Sequence, residues 1–215
     1  MHSQSIIVQQ PTTASHLVLL THGVGSVPQS LVGVAQWFAQ RDASALVVSL
    51  ASPEPSDISN GLQWFSVRGI TEENRPARVA AAMPGFVATM QHWQQVAKVD
   101  ASRTLLTGFS QGAIMALEST KLDAPPAQRV VSLAGRYAEL PIHQPRAAIH
   151  LLHGTADPVM PAAQTQNAFA RLQHLQADAT LDLVPGVGHE PHPAMLMALG
   201  QRFGKALEQI ANSTE

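Results

Sequence analysis

Short apolar segments recur along the chain, and longer segments with helical periodicity separate them. The predicted strands are residues 16–21, 45–50, 103–107, 130–133, 149–153 and 181–184. This alternation is typical of βα units around a mostly parallel sheet, since parallel neighbours need a crossover connection that is usually a helix. We therefore predict an α/β fold with helices on both faces of the sheet. Residues 5–9 predict an additional, antiparallel edge strand.

The segments between the strands predict the helices 28–40, 72–98, 111–122, 161–175 and 193–210. Pro84 interrupts the second of these, and we expect a kink or a division there because proline lacks the N–H of a helical hydrogen bond. The last segment carries one apolar stripe of core-packing residues. Its members are Leu196, Leu199, Phe203, Leu207 and Ile210.

The domain organisation follows from length and composition. The chain has 215 residues, which is the size of one domain, and it contains no repeat or linker-like segment. We predict a single domain over residues 1–215. Residues 51–69, rich in Pro, Ser, Asp and Gly, predict a long loop. Because no other insertion is large enough to cover a site, we predict little or no lid.

Charge and cysteine usage exclude several classes of function. The formal net charge of −2 provides no basic surface for nucleic acid or an anionic membrane. The absence of cysteine excludes disulfides, thiolate metal sites and a cysteine nucleophile. The apolar runs are too short to span a bilayer, and residues 1–10 lack the features of a signal peptide. These observations predict no nucleic acid partner, no integral membrane association and a cytoplasmic location.

The segment GFSQG at residues 108–112 fits the G-x-S-x-G pattern of a nucleophile elbow. That chemistry needs a serine on a sharp turn between a strand and a helix, and glycines on either side of it remove collisions across the turn. A predicted strand precedes the segment and a predicted helix follows it. The pattern predicts Ser110 as nucleophile and the N–H of Gln111 as an oxyanion donor. The alternative interpretation is a glycine-rich turn with an idle serine.

A serine hydroxyl needs a base to accept its proton and an acid to orient that base. In chains with this elbow the acid and then the histidine follow the serine, each after a later strand. Asp157 follows the predicted strand 149–153, and His189 follows the strand 181–184. Both therefore lie at the carboxyl edge of the sheet, where open α/β sheets bind ligands. We predict Asp157 as the orienting acid and His189 as the base.

Rival residues are less well placed. Asp178 precedes the last predicted strand and Asp182 lies within it. His192 competes with His189, but it lies farther from the strand and just ahead of a helix that starts with proline.

The other histidines predict supporting roles. His22 and His153 each end a predicted strand before a glycine, and we expect them to pack or to support neighbouring groups. The segment HEPH at residues 189–192 lacks the H-E-x-x-H spacing of a zinc site, so we predict no metal.

The segment HGVGS at residues 22–26 follows the first strong strand. Early glycine-rich loops at this place supply the second oxyanion donor in hydrolases with a nucleophile elbow. The donor we predict is the backbone N–H of Val24. Because the segment fits neither G-x-G-x-x-G nor a Walker lysine motif, a phosphate-binding loop is the weaker interpretation.

Taken together, these motifs resemble the phospholipase/carboxylesterase family, which includes the acyl-protein thioesterases, and are most similar to a small bacterial esterase branch. The matching segments are LTHGVG (20–25), QWFS (63–66), GFSQGA (108–113), HGTADPV (153–159) and GH (188–189). The chain departs from many relatives at Ser26, where they have Asp, and at residues 190–192, which replace an apolar residue.

The resemblance implies an α/β-hydrolase fold with the catalytic residues Ser110, Asp157 and His189. It also implies the N–H groups of Val24 and Gln111 as oxyanion hole, and Trp64 and Phe65 near the acyl pocket. The expected activity is hydrolysis of short- to medium-chain carboxylic esters, or of thioesters, without a cofactor. A small-molecule ester is thus the expected partner. The alternatives are an acyl-protein thioesterase or lysophospholipase, and a non-catalytic binding module on a hydrolase scaffold. The sequence does not distinguish a monomer from a homodimer.

Overall fold

The computed structural model describes residues 4–212, with side chains described through Phe203. Its strands are β1 (Ile6–Gln9), β2 (His16–Thr21), β3 (Ala45–Leu50), β4 (Glu54–Pro55), β5 (Leu62–Gln63), β6 (Thr104–Phe109), β7 (Arg129–Leu133), β8 (Ala148–Gly154) and β9 (Ala179–Val184). The main sheet has the order β1-β3-β2-β6-β7-β8-β9. All neighbours in it are parallel except β1, which pairs with β3 in the antiparallel direction.

The predicted mostly parallel α/β sheet and its antiparallel edge strand are confirmed. The central strands are buried on both faces, as their unbroken apolar composition requires: every residue of β3 is buried. Residues 51–69 do not form a purely irregular loop. They contain β4 and β5, which pair as a small antiparallel ribbon apart from the main sheet.

The helices are α1 (Val32–Ala39), α2 (Arg75–Ala97), α3 (Gln111–Ser119), α4 (Ala162–His174) and α5 (Pro193–Asn212). A turn of 3-10 helix, Pro28–Leu31, leads into α1. The predicted division at Pro84 is not found, and α2 is one helix. Pro84 and Ala80 are both exposed, so water can reach the Ala80 carbonyl that lacks its helical donor.

Helices cover both faces of the sheet. On one face α1 and α5 pack through residues such as Phe38, Met195 and Leu199. On the other face α2, α3 and α4 pack through residues such as Met90, Met115 and Leu172. In the predicted stripe of α5, Leu196, Leu199 and Phe203 pack on the core, whereas the side chains of Leu207 and Ile210 lie outside the described residues. Within the described range no helix is long and apolar enough to cross a membrane.

The strand order positions the site. The chain runs from β2 to β3 on one side of β2, and later returns to form β6 on its other side. The connections after β2 and β6 therefore diverge, which opens a crevice at the carboxyl edge of these two strands. Thr21, the last residue of β2, lies opposite Gly108 of β6. The segments that follow, 22–26 and 110–112, face each other across that crevice.

Candidate active site

Ser110 lies on the turn between β6 and α3 with φ 52° and ψ −116°. A non-glycine residue at positive φ is strained, and such strain persists only where the surroundings hold it. Glycines allow the turn to be this tight. A Cβ on Gly112 would lie 2.1 Å from the Thr21 carbonyl oxygen, and one on Gly108 would lie 2.5 Å from Ala113. The flanking glycines of G-x-S-x-G are thus required by close backbone approach.

The structure brings Ser110, His189 and Asp157 into one hydrogen-bonded chain. His189 Nε2 lies 2.8 Å from Ser110 Oγ, and His189 Nδ1 lies 2.7 Å from Asp157 Oδ2. Ser110 follows β6, Asp157 follows β8 and His189 follows β9, so three strands of one sheet edge supply the three side chains. The ring of Phe109 lies 5.0 Å from the His189 imidazole, centroid to centroid, and supports it from the side.

Asp157 is an almost fully buried carboxylate with hydrogen-bond donors on both oxygens. Its Oδ1 accepts from the backbone N–H groups of Val159 and Met160, each at 2.8 Å. Its Oδ2 faces His189 and also His153 Nε2 at 3.1 Å. Burial by itself raises the pKa of Asp157, but the hydrogen bonds from Met160, His189 and Val159 outweigh it, and the pKa lies below its ordinary value. The side chain is therefore ionised at neutral pH.

The rival residues lie elsewhere. Both carboxylate oxygens of Asp182 pair with the guanidinium of Arg202 on α5. Asp178 precedes β9, at the end of the sheet opposite the site. His192 Nδ1 accepts a hydrogen bond from the N–H of Ala194, in the first turn of α5. Its imidazole thus gives a hydrogen-bond partner to a backbone N–H at the N-terminus of α5.

The predicted oxyanion donors are the backbone N–H groups of Val24 and Gln111, which belong to the segments on the two sides of the crevice. No hydrogen bond from either is found within residues 4–212. The segment that carries Val24 is held by β5 of the long loop. Gly25 donates to the Leu62 carbonyl at 2.9 Å, and Leu62 donates to the Ser26 carbonyl at 2.8 Å. The backbone around Val24 is therefore fixed on a rigid frame rather than free.

The side chain of Gln111 joins the long loop to the nucleophile turn. Its Oε1 accepts from the N–H of Trp64, and its Nε2 donates to the Phe65 carbonyl, both at 2.8 Å. The Trp64 indole N–H in turn donates to the His22 carbonyl at 2.9 Å. Trp64 and Phe65 are only 3% and 4% exposed, so their rings present little surface to a ligand. Their part in substrate binding stays a prediction.

His22 supports the segment 22–26 through its side chain, as we expect of a histidine at the end of a strand. Its Nδ1 donates to the Gly23 carbonyl at 2.8 Å, and its Nε2 lies 3.2 Å from Ser52 Oγ. Burial lowers the pKa of His22 against the opposing effect of the Gly23 hydrogen bond. The imidazole is therefore neutral at physiological pH, and its hydrogen bonds connect the segment 22–26 to the residues that follow β3.

Some contributors carried no usable signal in the sequence. Phe109 occupies a variable position of the elbow pattern, and Ser52 and Thr165 are ordinary polar residues of a loop and a helix. Their contacts depend on how distant segments meet. The Gln111 side chain lies within the motif, but the motif itself concerns only its backbone N–H.

Comparison with known proteins identifies the family of the chain. Residues 2–205 match the phospholipase/carboxylesterase family. Esterase YpfH of Escherichia coli (strain K12) is 47% identical over 191 residues, which are 88% of this chain and 82% of that protein. Acyl-protein thioesterase 1 homolog 1 of Dictyostelium discoideum is 21% identical over 94% of this chain and 96% of its own length.

Solved structures show the same fold. Esterase PE8 matches with a TM-score of 0.80 and 24% identity over 94% of this chain and 96% of its own. The carboxylesterase of Bacillus cereus matches with a TM-score of 0.77 and 18% identity over 94% and 93% of the two chains. The α/β-hydrolase fold and the bacterial esterase resemblance predicted from the motifs are confirmed. The chain belongs to the phospholipase/carboxylesterase family.

Proposed function

We propose that this chain is a serine carboxylesterase that hydrolyses short- to medium-chain carboxylic esters through an acyl-serine intermediate. The observation that carries the proposal is the hydrogen-bonded chain from Ser110 Oγ through His189 to the ionised Asp157. The family and the bacterial relative named as an esterase support the same reaction class.

In the first half-reaction Ser110 Oγ attacks the carbonyl carbon of the ester while its proton passes to His189 Nε2. The 2.8 Å distance between these atoms suits direct transfer. His189 then carries a positive charge, which the Asp157 carboxylate stabilises through Nδ1. Collapse of the tetrahedral intermediate expels the alkoxide, which takes the proton from Nε2, and leaves the acyl group on Ser110.

In the second half-reaction water attacks the acyl-serine and gives a proton to His189 Nε2, and the carboxylic acid leaves as Ser110 recovers its proton. Both tetrahedral intermediates carry a negative oxygen. We assign its stabilisation to the N–H groups of Val24 and Gln111, which lack other acceptors in the described part of the chain. The N-terminus of α3 adds a favourable dipole at the same place.

The substrate class rests on the position of the long loop. Hydrogen bonds of Leu62 and Gln111 hold this loop beside the crevice, so it supports one wall and does not form a thick cover. A site without a thick cover favours acyl chains of short to medium length. We place Trp64 and Phe65 in the wall of the acyl pocket, where their packing on Phe86 and the core gives that wall its rigidity.

Hydrolysis of p-nitrophenyl acetate, butyrate, octanoate and palmitate tests the proposal, with Ser110→Ala and His189→Ala measured beside the wild type. We expect turnover of the shorter esters, and a loss of about three orders of magnitude or more in kcat in both variants. A wild type that neither turns over any ester nor reacts at Ser110 with a fluorophosphonate would instead indicate a binding module on a hydrolase scaffold.

Thioester hydrolysis is a second candidate because acyl-protein thioesterases match the chain over most of its length, at about a fifth identity. An oxygen ester and a thioester with the same acyl group distinguish the two activities. A higher kcat/KM for the thioester would assign the chain to the second class. Ser110→Ala must lose activity on both substrates, since both reactions pass through the acyl-serine intermediate.

A further inference from the structure

His153 is a second imidazole in contact with the carboxylate that orients His189. It is the penultimate residue of β8, its side chain is completely buried, and it lies four residues before Asp157. Its Nε2 lies 3.1 Å from Asp157 Oδ2 and 2.8 Å from the Met160 carbonyl oxygen. The proposed mechanism assigns no step to it. One carboxylate oxygen is therefore shared between two imidazoles, His189 on the open side and His153 on the buried side.

The hydrogen-bond partners fix the proton on Nε2 of His153. An ionised carboxylate and a backbone carbonyl only accept hydrogen bonds, so the nitrogen that faces both must carry a hydrogen. The other nitrogen, Nδ1, lies 2.6 Å from Thr165 Oγ1, which also lies 2.8 Å from the Gly135 carbonyl. Either Thr165 donates to Nδ1 of a neutral ring, or Thr165 donates to Gly135 and accepts from Nδ1 of a charged ring. Both arrangements keep Nε2–H on Asp157.

We propose that His153 is a positioning residue that moderates the basicity of His189 by donating a second hydrogen bond to Asp157 Oδ2. The inference rests on the proposed function. Each donor on Oδ2 takes up part of the negative charge that would otherwise stabilise the His189 imidazolium. His153 thereby keeps the enzyme active to lower pH than Asp157 alone would allow.

The direction of the effect is the same in both protonation forms of His153. A neutral ring weakens Oδ2 as an acceptor for His189, and a charged ring also repels a proton on His189. Asp157 and His189 are the titratable groups joined to His153 by described contacts, from the loops after β8 and β9. From α4 and from the segment after β7 it meets the neutral Thr165 hydroxyl and, through that hydroxyl, the Gly135 carbonyl.

A matched pair of substitutions separates hydrogen bonding from packing. His153→Met fills similar space without a donor, whereas His153→Gln has the same chain length and an amide N–H that can reach Oδ2. The measurement is the acid limb of kcat/KM for p-nitrophenyl butyrate between pH 5 and pH 9. We expect the limb of His153→Met to move to higher pH by about 0.5 to 1 unit, and that of His153→Gln to stay near the wild type.

His150→Met is the control for loss of a half-buried imidazole on the same strand. Residues 150 and 153 point to opposite faces of β8, and His150 packs against Phe203 of α5, away from the triad chain. Its acid limb should coincide with the wild type. Equal limbs in His153→Met and His153→Gln would overturn the inference, since a packing role predicts the same loss for both.

The tautomer can be measured without any activity and without any substitution. Selective ¹⁵N labelling of histidine, read between pH 6 and pH 8, should show His153 Nε2 protonated throughout that range. An unprotonated Nε2 would overturn the inference even if the variants fail to fold. The Ser110→Ala enzyme separates a failure of the proposed function from a failure of the role of His153. If Ser110→Ala keeps full activity, the proposed function fails. If Ser110→Ala is inactive but the acid limbs of the His153 variants equal that of the wild type, only the role of His153 is rejected.

Discussion

The side-chain amide of Gln111 binds the backbone on both sides of the peptide that joins Trp64 to Phe65, accepting from the Trp64 N–H and donating to the Phe65 carbonyl. The residue whose main-chain N–H we propose as one oxyanion donor therefore also holds the long loop through its side chain. Trp64 completes the connection by donating from its indole to the His22 carbonyl, two residues before Val24. The side chains of Gln111 and Trp64 thus link the two segments that carry the proposed donors.

Replacing Gln111 with Met should remove that bridge and leave the Gln111 backbone N–H in place. The Trp64 N–H and the Phe65 carbonyl would lose their partners in a buried setting, and we expect the free energy of unfolding to fall by about 2 to 4 kcal/mol. We also expect kcat to fall by about tenfold or more, because a displaced donor stabilises the oxyanion poorly. Urea denaturation and ester hydrolysis measure the two effects.

Gln94→Met is the matched control for this substitution. Gln94 likewise makes two hydrogen bonds through its amide, to Thr104 Oγ1 and the Pro126 carbonyl, but it lies on α2 away from the crevice. It should lose stability while kcat stays at the wild-type value. A Gln111→Met enzyme with wild-type kcat would show that the bridge is structural only.

Replacing Asp157 with Asn should abolish most of the activity. Every described partner of the Asp157 carboxylate is a donor, so the amide group of Asn must face either two backbone N–H groups or two imidazoles. We expect kcat to fall by about 10⁴-fold, since His189 no longer has its tautomer fixed and its charge stabilised. Asp182→Asn, which disturbs only the pairing with Arg202, should keep wild-type kcat. Similar kcat values for the two variants would contradict the assignment of Asp157.

Two glycine substitutions of the same kind should change stability in opposite directions. A methyl group on Gly112 would lie 2.1 Å from the Thr21 carbonyl oxygen, so Gly112→Ala forces β2 and α3 apart. We expect a loss of about 3 kcal/mol or more in the free energy of unfolding. A methyl group on Gly85 in α2 would meet no atom within 4 Å other than the adjacent backbone of its own helix, and Gly85→Ala should raise the free energy of unfolding by about 0.5 to 1 kcal/mol. Chemical denaturation compares them, and a stable Gly112→Ala protein would contradict the close packing at the elbow.

His150 should make the protein less stable in mild acid. Burial, followed by the charge of Arg129, lowers the pKa of His150 from 6.5 to about 4. Between these values the unfolded chain binds a proton that the folded chain does not, so the free energy of unfolding falls as the pH is lowered through this window. Allowing for partial solvent access, we expect His150 to contribute a loss of about 2 kcal/mol between pH 7 and pH 4.5.

The measurement for His150 is the free energy of unfolding of each variant at about pH 7 and about pH 4.5, obtained by chemical denaturation. His150→Met should be less sensitive to acid than the wild type, whereas His143→Met, which removes an exposed imidazole, should retain the wild-type sensitivity. Asp157 and other carboxylates contribute equally to all three proteins, so their effects cancel in the comparison. Equal acid sensitivity in His150→Met and the wild type would contradict a neutral, buried His150.

Much of the fold could be predicted from the sequence because strands buried on both faces leave continuous apolar segments. Residues 16–21 and 45–50 are predicted with the observed bounds of β2 and β3 for this reason. The ribbon of β4 and β5 could not be predicted, since two residues per strand carry no periodic signal. Of the kink or division expected at Pro84, the division is not found; the sequence could not exclude it because the proline rule does not say which face of the helix the proline occupies.

The approach of Ser110, Asp157 and His189 could be predicted because parallel strands end at one edge of a sheet. The hydrogen bonds that support them could not. His153 meets Asp157 because the chain turns back within four residues at the end of β8, and α4 returns Thr165 to the same place. Gln111 meets Trp64 because the long loop folds back beside the crevice. Such contacts depend on the paths of connections, which local sequence patterns do not determine.

The order of strands from β6 to β9 also bears on how the protein gains its activity during refolding. Ser110 and His189 are 79 positions apart, and β7 and β8 lie between the strands that carry them. The two side chains meet only after successive crossovers have docked, and such non-local pairing is slow compared with helix formation. In a refolding experiment the return of ester hydrolysis should therefore trail the return of the helical circular dichroism signal. The recovered activity then measures how much of the protein has completed its sheet.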